Sequence, residues 1–593
     1  MKGELAQTDP AGPTLSPRGQ SLLLALADAW GSAPGDVAVA LGLADETLRS
    51  RAYASWRQKP YWSPKRASAH LSRAAAIAAA RHRILLSPDG DGKTVAIIPA
   101  PSPRPNPAAD YPNTAYTAPS EFDAALSGFW PAIVRDTTQR LSAERPRYSA
   151  SYRRVGPQMV WFAIAVLFAM LGVLPWYVWP VTAANILLCG AFFAVAALRV
   201  AALMQPRLVS PPPISTRDLP PYTVLVPLYR EANVVGQLVQ HLRTLDYPLT
   251  KLDIRLLIEA DDAETVAALR AEDLPPYFTV IAMPAVAPRT KPKALNAGLL
   301  GAWGDLVTIF DAEDLPDRDQ LRRAAAHFAA ADRRVACLQA RLRIDNGGIN
   351  MLTGFFALEY EALFRRFLPM LQRLRLPIPL GGTSNHVRRD VLDAIGGWDP
   401  YNVTEDADLG FRMIRFGFRV EVLDSDTWEE APIAVWDWFH QRSRWYKGWI
   451  QTWIVHMRHP FTYLSQTGWR GFIGLQLLMG GMFLSAIAHP ILLATALLWV
   501  LGYASPPVGT GFMVGLNVTC LVIGHGAMMA LCWLSAGDGP QHRRRFALVP
   551  LLPLYMLLHT AAALRAIYQY LKDPYHWAKT RHGRSRRENL RRR

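Results

Sequence analysis

A mostly parallel α/β domain held between membrane-length helices, with a small α+β domain ahead of it, is the architecture this sequence predicts. Three observations predict it. Apolar runs long enough to cross a bilayer flank the middle of the chain, β-rich and helical stretches alternate between them, and a Pro-rich segment at 101–119 sets off a globular N-terminal region. At 593 residues the chain has room for several domains. Half of it (50%) is apolar and the net charge is +16, the apolar residues gathering in a few runs and the charge lying elsewhere. The basic residues do not line one helix with interleaved aromatics, so the charge is not read as a nucleic-acid surface. Cys189, Cys337, Cys520 and Cys532 show neither CxxC nor Cys/His ligand spacing, and no zinc site or disulfide framework is expected.

Residues 1–20 are rich in Pro, Gly, Ser and Thr and are expected to be disordered. The first thirty residues lack a basic stretch followed by a hydrophobic core and a small-residue site, so no cleaved signal is expected. Residues 21–101 read as Ala-rich helices followed by a β-hairpin, Arg83-Ile84-Leu85-Leu86 turning through Asp89-Gly90-Asp91-Gly92 into Thr94-Val95-Ala96-Ile97-Ile98. Residues 102–155 read as linker and helix. Within 156–204, runs at 159–179 and 181–204 each suffice for a hydrocarbon core of roughly 30 Å. Their one charge, Arg199, is near enough to the end of the second to snorkel, and Trp161, Trp176, Tyr177 and Trp179 suit an interfacial belt. Arg153, Arg154, Arg199 and Arg207 flank the pair, which puts 1–155 and 205 onward on the cytoplasmic side.

Residues 215–430 alternate strands (222–227, 253–259, 278–283, 306–310, 334–339) with helical stretches such as 232–245, the pattern of a mostly parallel sheet that binds ligands at its carboxyl ends. Residues 431–468 read as amphipathic interfacial helices. Residues 469–571 hold apolar runs at 471–501, interrupted by His489-Pro490, then 511–534 and 547–564, giving three or four segments and five or six spans in all. The basic tail, 572–593, and Arg543-Arg544-Arg545 both favour the cytoplasm. A re-entrant or interfacial segment near Pro550 and Pro553 would satisfy both. The expectation is a multi-pass protein of a bacterial inner membrane with its α/β domain in the cytoplasm.

Five polar clusters carry the chemistry. Asp261 and Asp262 follow a strand, where they can accept hydrogen bonds from a base or ribose, or cap the helix at Thr265. Asp311, Glu313 and Asp314 deliver three carboxylates within four residues of a strand end, a repulsion that Mg²⁺ or Mn²⁺ would relieve while keeping positions open for phosphate oxygens. Lys293 and Asn296 sit at the start of a helix, where phosphates bind. Thr404, Glu405 and Asp406 crowd acids together, which raises a carboxylate pKa toward the range of a general base, and Asp406 is the candidate. Gln441, Arg444 and Trp445 lie in a Trp-rich amphipathic segment, Arg444 suited to a diphosphate and Trp445 to a sugar face.

In that order these clusters resemble the motifs of membrane-embedded family 2 glycosyltransferases, the cellulose, curdlan and hyaluronan synthase group, over about 220–453. The resemblance implies a GT-A catalytic fold, a nucleotide-sugar donor (a UDP-sugar), and Mg²⁺ or Mn²⁺. It assigns Asp261 or Asp262 to the base, Lys293 to the nucleotide, and Asp311 with Glu313 or Asp314 to the metal. Asp406 would be the base, and Gln441, Arg444 and Trp445 would hold diphosphate and acceptor. Gly381-Gly382-Thr383-Ser384-Asn385-His386 looks like the family's acceptor-site loop, its small residues admitting a sugar and His386 bonding it. The N-terminal region, at Leu41-Gly42-Leu43 and 79–101, resembles the N-terminal domain of type II secretion E-like ATPases. Some of these bind cyclic di-GMP, so that ligand or a partner subunit is implied there. One base with no nucleophile implies inversion. The function expected first is processive synthesis of an exported polysaccharide; the alternatives are a glycolipid synthase acting on a membrane lipid acceptor and a non-catalytic assembly subunit.

Overall fold

The computed structural model describes residues 6–9, 12–15, 17–62, 71–88, 94–99, 114–152, 179–204, 208, 210–502, 510–535, 546–573 and 575. Part of the stretch expected to be disordered is instead paired backbone: β1 (Ala6–Asp9) and β2 (Gly12–Leu15) run antiparallel, and a helix follows at Pro17–Trp30. Helices Pro34–Ala40 and Glu46–Trp56 come next, the first opened by a proline and the second by Asp45, whose carboxylate accepts from the Thr47 amide. The expected hairpin forms, β3 (Leu85–Pro88) against β4 (Thr94–Pro99) with Leu85 opposite Ile97. A third strand, β5 (Thr114–Thr117), joins it parallel to β4. The small domain therefore reaches into the segment assigned to the linker; four residues with no apolar alternation left no strand signal.

Helices Pro119–Leu126 and Trp130–Glu144 cover this sheet, and the chain beyond them docks on the central domain. Trp130 Nε1 donates to the Ala282 carbonyl at 2.8 Å, and Arg145 Nη1 to that of Ala394 at 2.7 Å. Ser149 Oγ and the Ala150 amide both donate to the buried Asp399 carboxylate, at 2.9 and 2.6 Å.

The central domain is built on an eight-stranded sheet: β6 (Tyr222–Leu228), β7 (Leu252–Glu259), β8 (Phe278–Met283), β9 (Leu306–Ile309), β10 (Leu315–Pro316), β11 (Val335–Ile344), β12 (Asn385–Arg388) and β13 (Arg419–Glu429), in the order β10-β13-β11-β12-β9-β6-β7-β8. Strands β8, β7, β6 and β9 are parallel, and β6 and β7 are almost wholly buried, as strands covered on both faces must be. The sheet is mostly parallel, as expected, six of its eight strands sharing one direction, and the other half adds two reversed strands, β12 and β10. There β12 runs antiparallel to both β9 and β11, β11 is parallel to β13, and β10 is antiparallel to β13. The sequence hid β12 and β13 for a physical reason. Their polar side chains are paired across the sheet rather than solvated: His386 meets the Tyr222 hydroxyl at 2.6 Å, and Asp426 accepts from Arg341 Nε at 2.6 Å and Arg343 Nη1 at 3.1 Å.

Helix Val435–Met457 leads to a set of long apolar helices. Among the described residues four stretches are long and apolar enough to cross a membrane: Ile186–Leu203, Pro460–Val500, Val514–Ser535 and Val549–Lys572. The first predicted run, 159–179, lies outside the described residues except for its last, as do Arg543-Arg544-Arg545 and nearly all of 572–593. Helix Met482–Val500 passes through Pro490 without a break. Proline removes the amide that would bond the carbonyl four residues back, and Thr560 Oγ1 of helix Leu552–Lys572 donates to that Ala486 carbonyl at 2.7 Å. Helix Leu552–Lys572 touches Val435–Met457 near both its ends. Trp438 Nε1 donates to the Tyr555 hydroxyl at 3.0 Å, and Lys447 Nζ to the Asp573 carbonyl at 3.4 Å, an arrangement in keeping with an interfacial segment. Arg366 ties two other helices to the central domain, Nη1 donating to the Leu203 carbonyl at 3.1 Å and Nη2 to that of Leu534 at 3.2 Å. One continuous apolar core runs from Leu225 and Val307 of the sheet to Leu478, Met528 and Ala562 of the helices.

Candidate active site

The carboxyl ends of β6, β7, β9 and β13 open onto a cavity of about 600 Å³ that continues between the apolar helices. Asp311 and Glu313 line it from the turn after β9, Thr404, Glu405 and Asp406 from the start of helix Glu405–Arg415, and Gln441, Arg444 and Trp445 from helix Val435–Met457. Three clusters distant in sequence therefore meet on one surface. The two helices carrying them cross at Gly448, where a Cβ would stand 2.1 Å from Thr404 Oγ1. Only glycine lets Val435–Met457 approach the start of the acidic helix this closely.

Charge is concentrated at this end. Lys291 Nζ lies 2.5 Å from Asp311 Oδ1 and donates to the Gly382 carbonyl at 2.7 Å. Burial works to lower the lysine pKa, but Asp311, Glu405 and Asp314 outweigh it and hold the ammonium above its ordinary value. Burial and the neighbouring Asp406 charge push Glu405 up to about 7, and burial raises Asp406 against the Ala407 amide, which donates to its Oδ1 at 2.8 Å. A Cβ on Gly382 would lie 3.5 Å from Asp406 Oδ2 and 3.9 Å from Lys291 Nζ, so the missing side chain leaves room beside both. Arg444 sits in the field of Glu405, Asp406 and Asp311, although burial brings its pKa down overall. Gln441 Oε1 is buried with no hydrogen-bond partner among the described residues, an acceptor waiting for a donor.

Of the two candidates for the second metal acid, Glu313 lines the cavity and Asp314 does not. Asp314 is buried, its Oδ2 accepting from the Asp311 amide at 2.7 Å and from Thr383 Oγ1, and burial together with Asp311 and Glu313 raises its pKa well above the carboxylate range. Asp314 therefore shapes the turn. Among the described residues no three His, Cys, Asp or Glu side chains form a closed metal site. Asp311 and Glu313 offer hard oxygen donors of the kind Mg²⁺ or Mn²⁺ takes, and such an ion would complete its shell with phosphate oxygens and water.

Several expected site residues are committed elsewhere. Lys293 is wholly buried and pairs with Glu259 at 2.5 Å, so of the two lysines the one facing the cavity is Lys291, two residues earlier. Asn296 brackets Trp398, Nδ2 donating to its carbonyl at 2.8 Å and Oδ1 accepting from its amide at 3.0 Å. Asp262 caps helix Ala263–Arg270 by accepting from the Thr265 amide at 3.3 Å and also receives the Arg230 amide, whereas Asp261 is half exposed and pairs with Arg289 at 2.7 Å. In the expected acceptor loop, Gly382 and Thr383 line the cavity, but Ser384, Asn385 and His386 turn into the sheet. Burial drives His386 down to about 3, which makes it a neutral core residue between Tyr222 and Gln320. Sequence reasoning missed Lys291, Glu429 and Glu430. Lys291 opens its helix while Lys293 falls on the buried side, and Glu429-Glu430 form a second acidic pair at a strand end that charge alternation along β13 disguised.

Residues 220–448 match the family model described as Glycosyltransferase like family 2. This central stretch is therefore similar to family 2 glycosyltransferase domains. It is 30% identical over 307 residues to a beta-monoglucosyldiacylglycerol synthase of Synechocystis sp., across 50% of this chain and 60% of that protein. It is 26% identical over 244 residues to the probable glycosyltransferase YdaM of Bacillus subtilis, across 39% of this chain and 56% of the relative. The chain thus spans less than two thirds of either. Among solved structures it resembles the mannosyltransferase PcManGT from Pyrobaculum calidifontis, in complex with GDP-Man and Mn²⁺, at 21% identity and a TM-score of 0.42 over 66% of this chain and 99% of that one.

The two lysines of the central domain separate by experiment. Lys293→Met leaves Glu259 as a buried unpaired charge and is expected to cost about 3–5 kcal/mol of stability. Lys291→Met is expected to depress turnover with the unfolding midpoint little moved. Thermal unfolding and steady-state transfer, measured on both variants, check this; a stable Lys293→Met protein with weakened nucleotide binding would restore the original assignment.

Proposed function

We propose that the chain is an inverting membrane glycosyltransferase that moves a sugar from a nucleotide diphosphate donor to the hydroxyl of a lipid acceptor. The observation that carries this reading is the continuity of the cavity, from Asp311, Asp406 and Arg444 at the sheet edge to Met482, Ser485 and Met528 among the apolar helices. A hydroxyl on a lipid entering from the bilayer would reach Asp406. The similarity to a synthase named for a monoglucosyl lipid favours this over the polysaccharide reading first expected.

Asp406 takes the proton from the acceptor hydroxyl as its oxygen attacks the anomeric carbon, and the bond from that carbon to the diphosphate breaks on the opposite side. Gly382 leaves room for the acceptor oxygen beside Asp406. Arg444 and Lys291 are positioned to meet charge developing on the diphosphate, in a buried site where fixed charges act more strongly than in water. Asp311 and Glu313 would hold a divalent ion, which supplies Lewis-acid neutralisation of the leaving diphosphate. Trp445 offers an aromatic face to the sugar, and Gln441 Oε1 an acceptor for one of its hydroxyls.

Filling the cavity tests the route. Met482→Trp puts an indole into the passage between the carboxylates and the helices. Lipid-dependent transfer by detergent-purified protein is expected to fall about tenfold or more, with donor hydrolysis by water persisting. Unimpaired transfer to lipid in a correctly folded Met482→Trp protein would remove the helices from the acceptor path.

A further inference from the structure

The cavity ends in a polar cluster among apolar helices: Arg199 on helix Trp179–Leu203, Ser485 and His489 on Met482–Val500, His525 on Thr510–Ser535 and His559 on Leu552–Lys572. The histidines are partnered. His489 Nε2 donates to the Pro553 carbonyl at 2.9 Å, and its Nδ1 lies 3.2 Å from His525 Nε2. His559 lies 3.1 Å from Glu359 and 3.1 Å from the Tyr446 hydroxyl.

Arg199 is different. It makes no ion pair within 4.0 Å with any acid among the described residues. Glu359, a carboxylate near enough to act on it, is already engaged: Oε2 accepts from Arg442 at 2.6 Å and from the Tyr555 hydroxyl at 2.8 Å, and Oε1 meets His559. A guanidinium without a counter-ion inside a membrane-length helix is costly and marks a ligand or a pathway. Its depth is informative. Arg199 stands about one turn from Leu203, whose carbonyl accepts from Arg366 of the central domain at 3.1 Å, so it lies toward the helix end nearest that domain. A planar fork of donors at that level matches a phosphate.

We infer that the acceptor is an anionic phospholipid, its phosphate held by Arg199 and its hydroxyl-bearing headgroup extending up the cavity toward Asp406. This rests on the lipid-acceptor reading above and refines it: a neutral diacylglycerol offers Arg199 only uncharged ester and hydroxyl oxygens, with no counter-charge. The phosphate stays on the lipid throughout; the headgroup hydroxyl loses its proton to Asp406 and gains the sugar.

Lipid binding tests the inference without turnover. Native mass spectrometry of the full chain, with phosphatidylglycerol, diacylglycerol or inorganic phosphate as probes, is expected to show wild type retaining phosphatidylglycerol at least about tenfold better than diacylglycerol, a step of about 1.4 kcal/mol. Arg199→Gln is expected to lose that preference and Arg199→Lys to keep part of it, each with an unchanged unfolding midpoint. In transfer assays Arg199→Gln is expected to raise KM for phosphatidylglycerol more than it lowers kcat. Equal binding of the two lipids by wild type, full phosphatidylglycerol binding by Arg199→Gln, or capture of inorganic phosphate alone would overturn it. Transfer of sugar to diacylglycerol with no use of phosphatidylglycerol would sink this inference and leave the lipid-acceptor function standing, whereas wild-type protein that turns over no donor would fail the function while the binding arms still decide the phosphate site.

Discussion

Asp406→Asn is expected to lower kcat for sugar transfer by about a thousandfold while the protein folds and still binds donor. The substitution keeps the side chain's size and its oxygen toward the Ala407 amide, so what it removes is the ability to accept a proton. General-base catalysis is worth about 10²–10⁴-fold, and the upper part of that range applies because Thr404 and Glu405 beside Asp406 are buried and, among the described residues, no other carboxylate stands as close to the space beside Gly382. Glu405 is the neighbour to watch. The two acids titrate as a pair, and burial places Glu405 at about 7, so wild-type transfer is expected to fall as pH drops below about 7 and the pair takes up a proton. A pH series of kcat, with donor binding followed in parallel, checks both statements. Full activity in Asp406→Asn, or an acid limb that stays near pH 4, would move the base to another residue.

Arg444→Ala is expected to lower transfer by about 10²–10³-fold, the effect of removing one fixed donor from a site of developing negative charge. The loss should exceed that of a surface arginine because the guanidinium is buried among Glu405, Asp406 and Asp311. Its removal also leaves those acids less compensated, so the acid limb should shift upward together with the loss of rate. Arg444→Lys restores charge without the two-pronged geometry and is expected to recover only part of the rate. Product formation and the pH profile of the two variants distinguish a diphosphate contact from a structural cation; equal, mild effects from both would favour the structural role.

The parts of this protein legible in its sequence were those where one property repeats. Strands β6, β7 and β9 were visible because burial on both faces leaves them rich in apolar and β-branched residues, and the apolar helices were visible by length. Strands β12 and β13 were not, because their polar side chains find partners across the sheet, which only the fold reveals. The same logic divides the candidate site. Asp311, Glu405 and Asp406 were marked by clustered charge at element ends and Gln441, Arg444 and Trp445 by a Trp-rich amphipathic stretch, and the fold brings them to one cavity. Lys293, Asn296, Asp262 and His386 carried the same residue types, but their side chains are spent on Glu259, Trp398, a helix start and Tyr222. Which of two neighbouring lysines or acids faces a ligand depends on helix phase and turn geometry, and a one-residue difference reverses it, as Glu313 and Asp314 show.

The most direct measurement is the identity of the product. Purified full-length protein in nanodiscs containing phosphatidylglycerol, given radiolabelled UDP-glucose and Mn²⁺, is expected to place label in the lipid extract, with mass spectrometry showing one added hexose. Label retained as high-molecular-weight, lipid-insoluble material would contradict a lipid acceptor and return the chain to polymer synthesis.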